Sequence, residues 1–173
     1  MKRPGQAISR VAAAAVAAVM LAAPFGAVRA QGVQPDYHPS LGDLMTTAVQ
    51  PRHIKLGQAG RARNWTYLTY EASELRNAFN RIARTVPTYR NNDMAGMIAA
   101  NIKDPLDELD AAIKAKDGRR FDAAYVEVTH ACNACHQGLG HPEVVIQASD
   151  AFMYPDQNFG MAGRSAVHRL GSH

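Results

Sequence analysis

The stretch from residue 64 to residue 87 reads NWTYLTYEASELRNAFNRIARTVP and gives the clearest indication of the fold. Its larger apolar residues recur at alternating spacings of three and four, which is the period of one helix face. They are Trp65, Leu68, Ala72, Leu75, Phe79 and Ile82. Charged residues such as Glu71 and Glu74 are assigned to the other faces. Asn64 suits the N-cap, and Pro87 cannot continue the pattern. The stretch therefore predicts an amphipathic helix with one face in a core.

Amphipathic segments on either side predict three more helices. The first follows a capping Ser40, and Pro51 is expected to kink it or to restart it as a fresh first turn. The third begins near Asn92 or Asp93. Within it, Asp104-Pro105 indicates a new helix start, with an N-cap and a proline at the first helical position. The fourth helix follows the turn at residues 116–118.

No segment alternates with period two for long enough to indicate a sheet. Four amphipathic helices with short connections predict an all-α fold, an antiparallel four-helix bundle. The bundle domain is expected to span residues 31–140. Residues 141–173 lack a period and are predicted to form an irregular C-terminal extension and tail.

The charge of the chain is concentrated in a targeting segment. The net charge is +4, but the first thirty residues hold four basic residues and no acid. The rest is formally neutral, so it offers no basic face for nucleic acid. Lys2 and Arg3, the apolar run at residues 11–24 and Val28-Arg29-Ala30 predict a signal peptide over residues 1–30. The run is short for a membrane span. We therefore predict export to a bacterial periplasm, with no stable membrane insertion after cleavage.

The chemistry of the chain is indicated by Cys132-Asn133-Ala134-Cys135-His136, which contains its two cysteines. C-x-x-C-H is the attachment signature of c-type haem. Two thiols three positions apart on a helix can form thioethers with two vinyl groups of one porphyrin. The next residue, His136, is then placed to bind the iron as proximal ligand. The motif predicts one covalently attached haem c.

Three other uses of the cysteines compete with haem attachment. A redox-active C-x-x-C pair is expected next to a strand–helix unit, which this sequence lacks. A zinc site would need His130 or His141 at spacings that fit no standard pattern. A structural disulfide within one helix would close almost no loop. Haem attachment is favoured over all three.

The position of the motif adds a resemblance to a known family. Almost all of the helical chain precedes C-x-x-C-H, and in this respect the sequence resembles the class II c-type cytochromes, the family of cytochrome c-prime and its low-spin relatives. The resemblance covers residues 41–140. It implies a four-helix bundle with the haem near the C-terminal helix, a distal face covered by the first helix, and a possible homodimer.

The resemblance directs attention to the first helix for a sixth, distal ligand. Met45 matches the low-spin relatives by position, while His53 is chemically the better ligand for ferric iron. Eight residues separate them, about 12 Å along a straight helix, so both cannot bind one iron. His53 is the preferred candidate, with Met45 as the alternative and an open or apolar distal position as the third.

These features predict a periplasmic electron carrier that exchanges single electrons with other redox proteins in brief, small contacts. The alternative function is binding of a gas, nitric oxide or carbon monoxide, at an open or displaceable distal position. No acid or base can be named beside an open iron, so no enzymatic activity is predicted.

Overall fold

The computed structural model describes residues 37–148, 151 and 153–160 of the 173-residue chain. The predicted signal peptide lies outside these residues. The described part is mostly helical, which confirms the prediction of an all-α fold. None of its helices has both the length and the apolar character of a membrane span.

The first helix has no break in the chain, but its hydrogen-bonding pattern changes from α to π and back to α. It consists of α1 (Leu41–Leu44), a π-helical segment (Met45–Val49) and α2 (Gln50–Arg61). As predicted, Ser40 caps it, in a capping box with Asp43. Pro51 stands in the first turn of α2. Because proline has no N–H and its ring crowds the carbonyl four residues earlier, the wider π turn just before it is physically reasonable.

Three longer helices follow: α3 (Trp65–Thr85), α4 (Met94–Ala115) and α5 (Gly118–Gly138). Their N-caps are Asn64, Asp93 and Asp117, whose side chains accept backbone N–H groups. The predicted new helix start at Asp104-Pro105 is wrong, because α4 runs through Pro105. The buried face of α4 continues on both sides of the proline, so the free energy of packing outweighs the lost backbone hydrogen bond. This face includes Met94, Ile102, Leu106, Leu109 and Ile113.

A short β-hairpin, which the sequence pattern does not predict, lies between α3 and α4. Its strands β1 (Thr88–Tyr89) and β2 (Asn92–Asp93) pair antiparallel, Thr88 with Asp93 and Tyr89 with Asn92. Arg90 and Asn91 form the turn with positive φ, as a tight hairpin requires. Two residues per strand are too few to produce an alternating pattern, so the hairpin left no periodic signal.

Helix α2 contacts α5 closely because glycines remove side chains from the interface. A Cβ atom on Gly57 would lie 2.6 Å from the Tyr125 hydroxyl, and one on Gly60 would overlap the ring of Phe121. The two aromatic rings are themselves stacked, with centroids 6.1 Å apart. The glycines thus allow the backbone of α2 to rest on the aromatic face of α5.

We expect Gly60→Ala to destabilise the protein by about 1–3 kcal/mol, because the new methyl group must displace a fully packed ring. Urea unfolding of the purified protein measures the effect. Gly42→Ala is the matched control in the same helix, since its Cβ would meet only the Ser40 hydroxyl at 3.7 Å. The control should be neutral or slightly stabilising. Equal stability of the two variants would contradict this account of the interface.

Candidate haem site

One cavity of about 420 Å³ brings together all the residues that the sequence analysis proposed for a haem site. The π-helical segment, α2, α3, α4, α5 and the residues just after α5 contribute to its wall. The predicted site residues in the wall are Met45, His53, Cys132, Cys135 and His136. Most of the other lining residues are apolar: Val49, Phe79, Met94, Ile98, Ile102, Val144, Val145 and Ile146. A mostly apolar cavity of this size, with a few polar groups, is typical of a cofactor site.

Cys132 and Cys135 lie one helical turn apart on α5, and both are free and buried. Burial raises the pKa of Cys132 to about 12, and the neighbouring Cys135 thiol adds to this effect. Burial also raises the pKa of Cys135. Both groups are therefore protonated thiols at neutral pH. A redox-active C-x-x-C pair instead needs a lowered thiol pKa, so the chemistry of this pair disfavours that alternative.

The ring of His136 is held in a defined tautomer. Its Nδ1 atom lies 2.8 Å from the carbonyl oxygen of Val144. A carbonyl oxygen can only accept, so Nδ1 carries a proton, and in the neutral ring Nε2 then has the lone pair. Histidines that bind metals characteristically donate their other N–H to a carbonyl or carboxylate in this way. His136 is thus prepared to coordinate a metal through Nε2.

His53 is buried, and its ring is hydrogen-bonded to α5 through Nε2. Its Nε2 lies 2.8 Å from the Thr129 hydroxyl, which itself donates to the Tyr125 carbonyl at 2.9 Å. The Thr129 oxygen therefore accepts, and Nε2 of His53 carries the proton. On the other side, the Tyr125 ring stacks on the imidazole, and its hydroxyl donates to the His53 carbonyl at 2.9 Å, so it has no proton left for Nδ1 at 3.3 Å. Burial lowers the pKa of His53 to about 4, so the ring is neutral at pH 7.

Met45 begins the π-helical segment and is half-buried at the cavity wall. Single π turns inside α-helices are often found at functional sites. Here the π turn lies in the part of the first helix that contributes Met45, Thr46 and Val49 to the cavity. The distal position considered in the sequence analysis thus coincides with a local irregularity of the backbone.

The two histidines considered for zinc are engaged elsewhere. His130 is exposed and lies 3.7 Å from Glu127 on the outer surface of α5. His141 contacts the Tyr89 hydroxyl at 2.7 Å and the Glu143 carboxylate at 3.0 Å. In the described part of the chain, no three His, Cys, Asp or Glu side chains are grouped as a metal site.

The sequence analysis missed two contributors to the site. Asn133, inside the motif, binds the backbone of Ile146 through both its amide oxygen and its amide nitrogen. Val144 provides the carbonyl that fixes His136. Both act through the segment after α5, which the sequence predicts to be an irregular extension outside the bundle domain. A segment without periodicity gives no sequence signal of where its backbone lies.

The residues present fit a covalently held haem. Two protonated thiols, an imidazole with a free Nε2 and an apolar wall occur at one cavity. Comparisons of the chain with protein-family models, with curated proteins and with solved structures found no match.

Proposed function

We propose that this protein is a monohaem c-type cytochrome of the class II type that carries single electrons. The observation that supports this most strongly is that one cavity is lined by the thiols of Cys132 and Cys135 and by the ring of His136, whose Nδ1 is bonded to the Val144 carbonyl. In this proposal the cysteines hold haem c through two thioethers, and His136 is the proximal ligand. When bound, the haem supplies reversible one-electron oxidation and reduction.

The helix arrangement supports the class II type of bundle. Along α2 and α5, His53 pairs with Thr129 while Arg63, just beyond α2, pairs with Asp122, so the two helices run in opposite directions. Along α4 and α5, Glu108 pairs with Arg120, and Met97 packs near Gly138, which is again antiparallel. We propose that the first helix with α3, α4 and α5 forms the antiparallel four-helix bundle that the sequence predicted.

The contacts of His53 and Met45 favour Met45 over His53 as the distal ligand. Nε2 of His53 could bind iron only after giving up its hydrogen bond to Thr129, and a buried group that loses its partner costs about 1–3 kcal/mol. The described hydrogen bonds of Met45 are all made by its backbone, so ligation by the thioether would break none. We therefore propose Met45 as the sixth ligand. The earlier prediction of His53 stays as the alternative and is tested together with it.

The proposed partners are other redox proteins of the periplasm, to which the predicted signal peptide directs the chain. Electron-transfer contacts are small and brief. Val144 and Val145 flank the cavity and are 44% and 70% exposed, which provides a small apolar surface for such contacts. A homodimer, as the resemblance implies, is compatible with this role.

The proposal is tested on the protein expressed with its signal sequence in a bacterial host that has cytochrome c maturation. We expect the periplasmic protein to be coloured and to exceed the mass of its polypeptide by one haem. The colour should remain with the polypeptide after acid–acetone extraction. The ferrous and ferric spectra should interconvert reversibly on reduction and oxidation. A colourless protein from such a host would refute the proposed function.

A further inference from the structure

Asn133 occupies one of the two variable positions of the C-x-x-C-H motif, yet it makes a specific double contact. Its amide nitrogen donates to the Ile146 carbonyl at 2.8 Å, and its amide oxygen accepts the Ile146 N–H at 2.7 Å. The side chain therefore binds the backbone of Ile146 as a neighbouring strand would. Nothing in haem attachment requires this, because the thiols and the histidine are on other residues.

The backbone after α5 is turned so that it can reach Asn133. Gly140 has a φ of 75°, and its N–H binds the Gln137 carbonyl at 3.0 Å, while the His141 N–H binds the His136 carbonyl at 2.8 Å. This is a Schellman motif, which ends the helix. Residues 141–146, which we call the strap, then return along the end of α5. Val144 lies in the strap, two positions before Ile146.

Two of the three aliphatic side chains of the strap, Val144 and Val145, are exposed. The third, Ile146, is partly buried and packs against the core. The start of the strap is fixed by the β-hairpin. Arg90 donates to the Leu139 and Gly140 carbonyls, and Tyr89 contacts His141. Its other end is fixed by Asn133. The Val144 carbonyl lies between these two anchors, and its distance to His136 therefore depends on both.

We propose that Asn133 is a positioning residue for His136. By clamping Ile146, it holds the Val144 carbonyl in place to accept the Nδ1–H of His136. That hydrogen bond fixes the tautomer and makes the imidazole a stronger donor to the metal. The inference rests on the proposed function, since it concerns the potential of a haem bound by His136. A stronger donor stabilises ferric iron, so the clamp lowers the reduction potential.

The test compares Asn133→Ala and Asn133→Leu with the unmodified holoprotein. Both substitutions remove the double contact without changing the charge, and leucine keeps the side-chain volume and favours the helix, which guards against a folding defect. Gln137→Ala is the matched control, because it removes an exposed amide from the same end of α5. Three quantities are measured: the mass, the reduction potential, and the hydrogen exchange of the Ile146 amide.

We expect both Asn133 variants to retain one covalent haem and to show a higher reduction potential. Exchange of the Ile146 amide should become about tenfold faster, as expected for loss of one ordinary hydrogen bond. The control should match the parent in all three measurements. Faster exchange with an unchanged potential, a changed potential without faster exchange, or no change in either would overturn the inference. If the parent itself carries no haem, the proposed function fails, while the exchange measurement still decides whether Asn133 clamps the strap.

Discussion

Replacement of both motif cysteines, Cys132→Ala together with Cys135→Ala, is expected to abolish covalent haem completely. The two residues are the chain's only cysteines, so no other thiol can replace them. The protein should lose its colour on acid–acetone extraction, and its mass should equal that of the polypeptide. We also expect lower stability, because a cavity of about 420 Å³ would be left without its cofactor.

Ala134→Ser is the matched control, because this residue is exposed and lies between the cysteines without altering their spacing. It should carry one haem, as we expect of the parent. His136→Ala separates attachment from ligation: both thioethers can form, but the proximal ligand is gone and the absorption spectrum should change. Haem that remains covalent in the double cysteine variant would contradict the assigned attachment. An unchanged spectrum in His136→Ala would contradict the assigned ligand.

Met45→Leu is expected to convert low-spin iron to high-spin iron and to allow rapid binding of carbon monoxide to the ferrous protein. Leucine has nearly the volume of methionine, so the packing of the first helix should change little, while the thioether is lost. The parent should show the near-infrared absorption band of methionine-ligated ferric haem. Absorption and electron paramagnetic resonance spectra measure the change.

His53→Gln is the companion variant, chosen because a glutamine amide can still donate to the Thr129 hydroxyl. We expect it to remain low-spin and to bind carbon monoxide as slowly as the parent. The opposite pair of results would assign the sixth ligand to His53, in agreement with the sequence-based prediction. High-spin iron in the unmodified protein would instead support a gas-binding function.

Helices with strong local signals were predictable from the sequence. The period of α3, its Asn64 cap and its end before Pro87 are properties of neighbouring residues, and the structure confirms them. The same is true of the Ser40 cap and of the turn before α5. The C-x-x-C-H motif also needs no tertiary information, since its spacing within one helix defines which groups lie together.

Other features depend on contacts between distant parts of the chain. Glu71 was assigned to an outer face of α3 but is fully buried. It lies there because Arg52 of α2 pairs with it at 3.1 Å and the Tyr67 hydroxyl donates to it at 2.7 Å. A helical period assigns residues to faces, but it cannot show that a cation from another helix makes a buried carboxylate tolerable. Helix α4 likewise continues through Pro105 because its face is packed.

The sequence by itself determined where α3 and α5 begin, the pair of cysteines and the histidine that follows them, because each of these is specified within a few consecutive residues. Only the tertiary structure decided which groups share a cavity and which are already engaged. It brings Met45 to the same wall as His136, ties His53 to Thr129 on α5, and places the Val144 carbonyl on the His136 ring. Hydrogen bonds of this kind join residues that are 8 to 76 positions apart in the sequence. Which groups become partners therefore depends on how whole helices pack together, and not on the local sequence pattern.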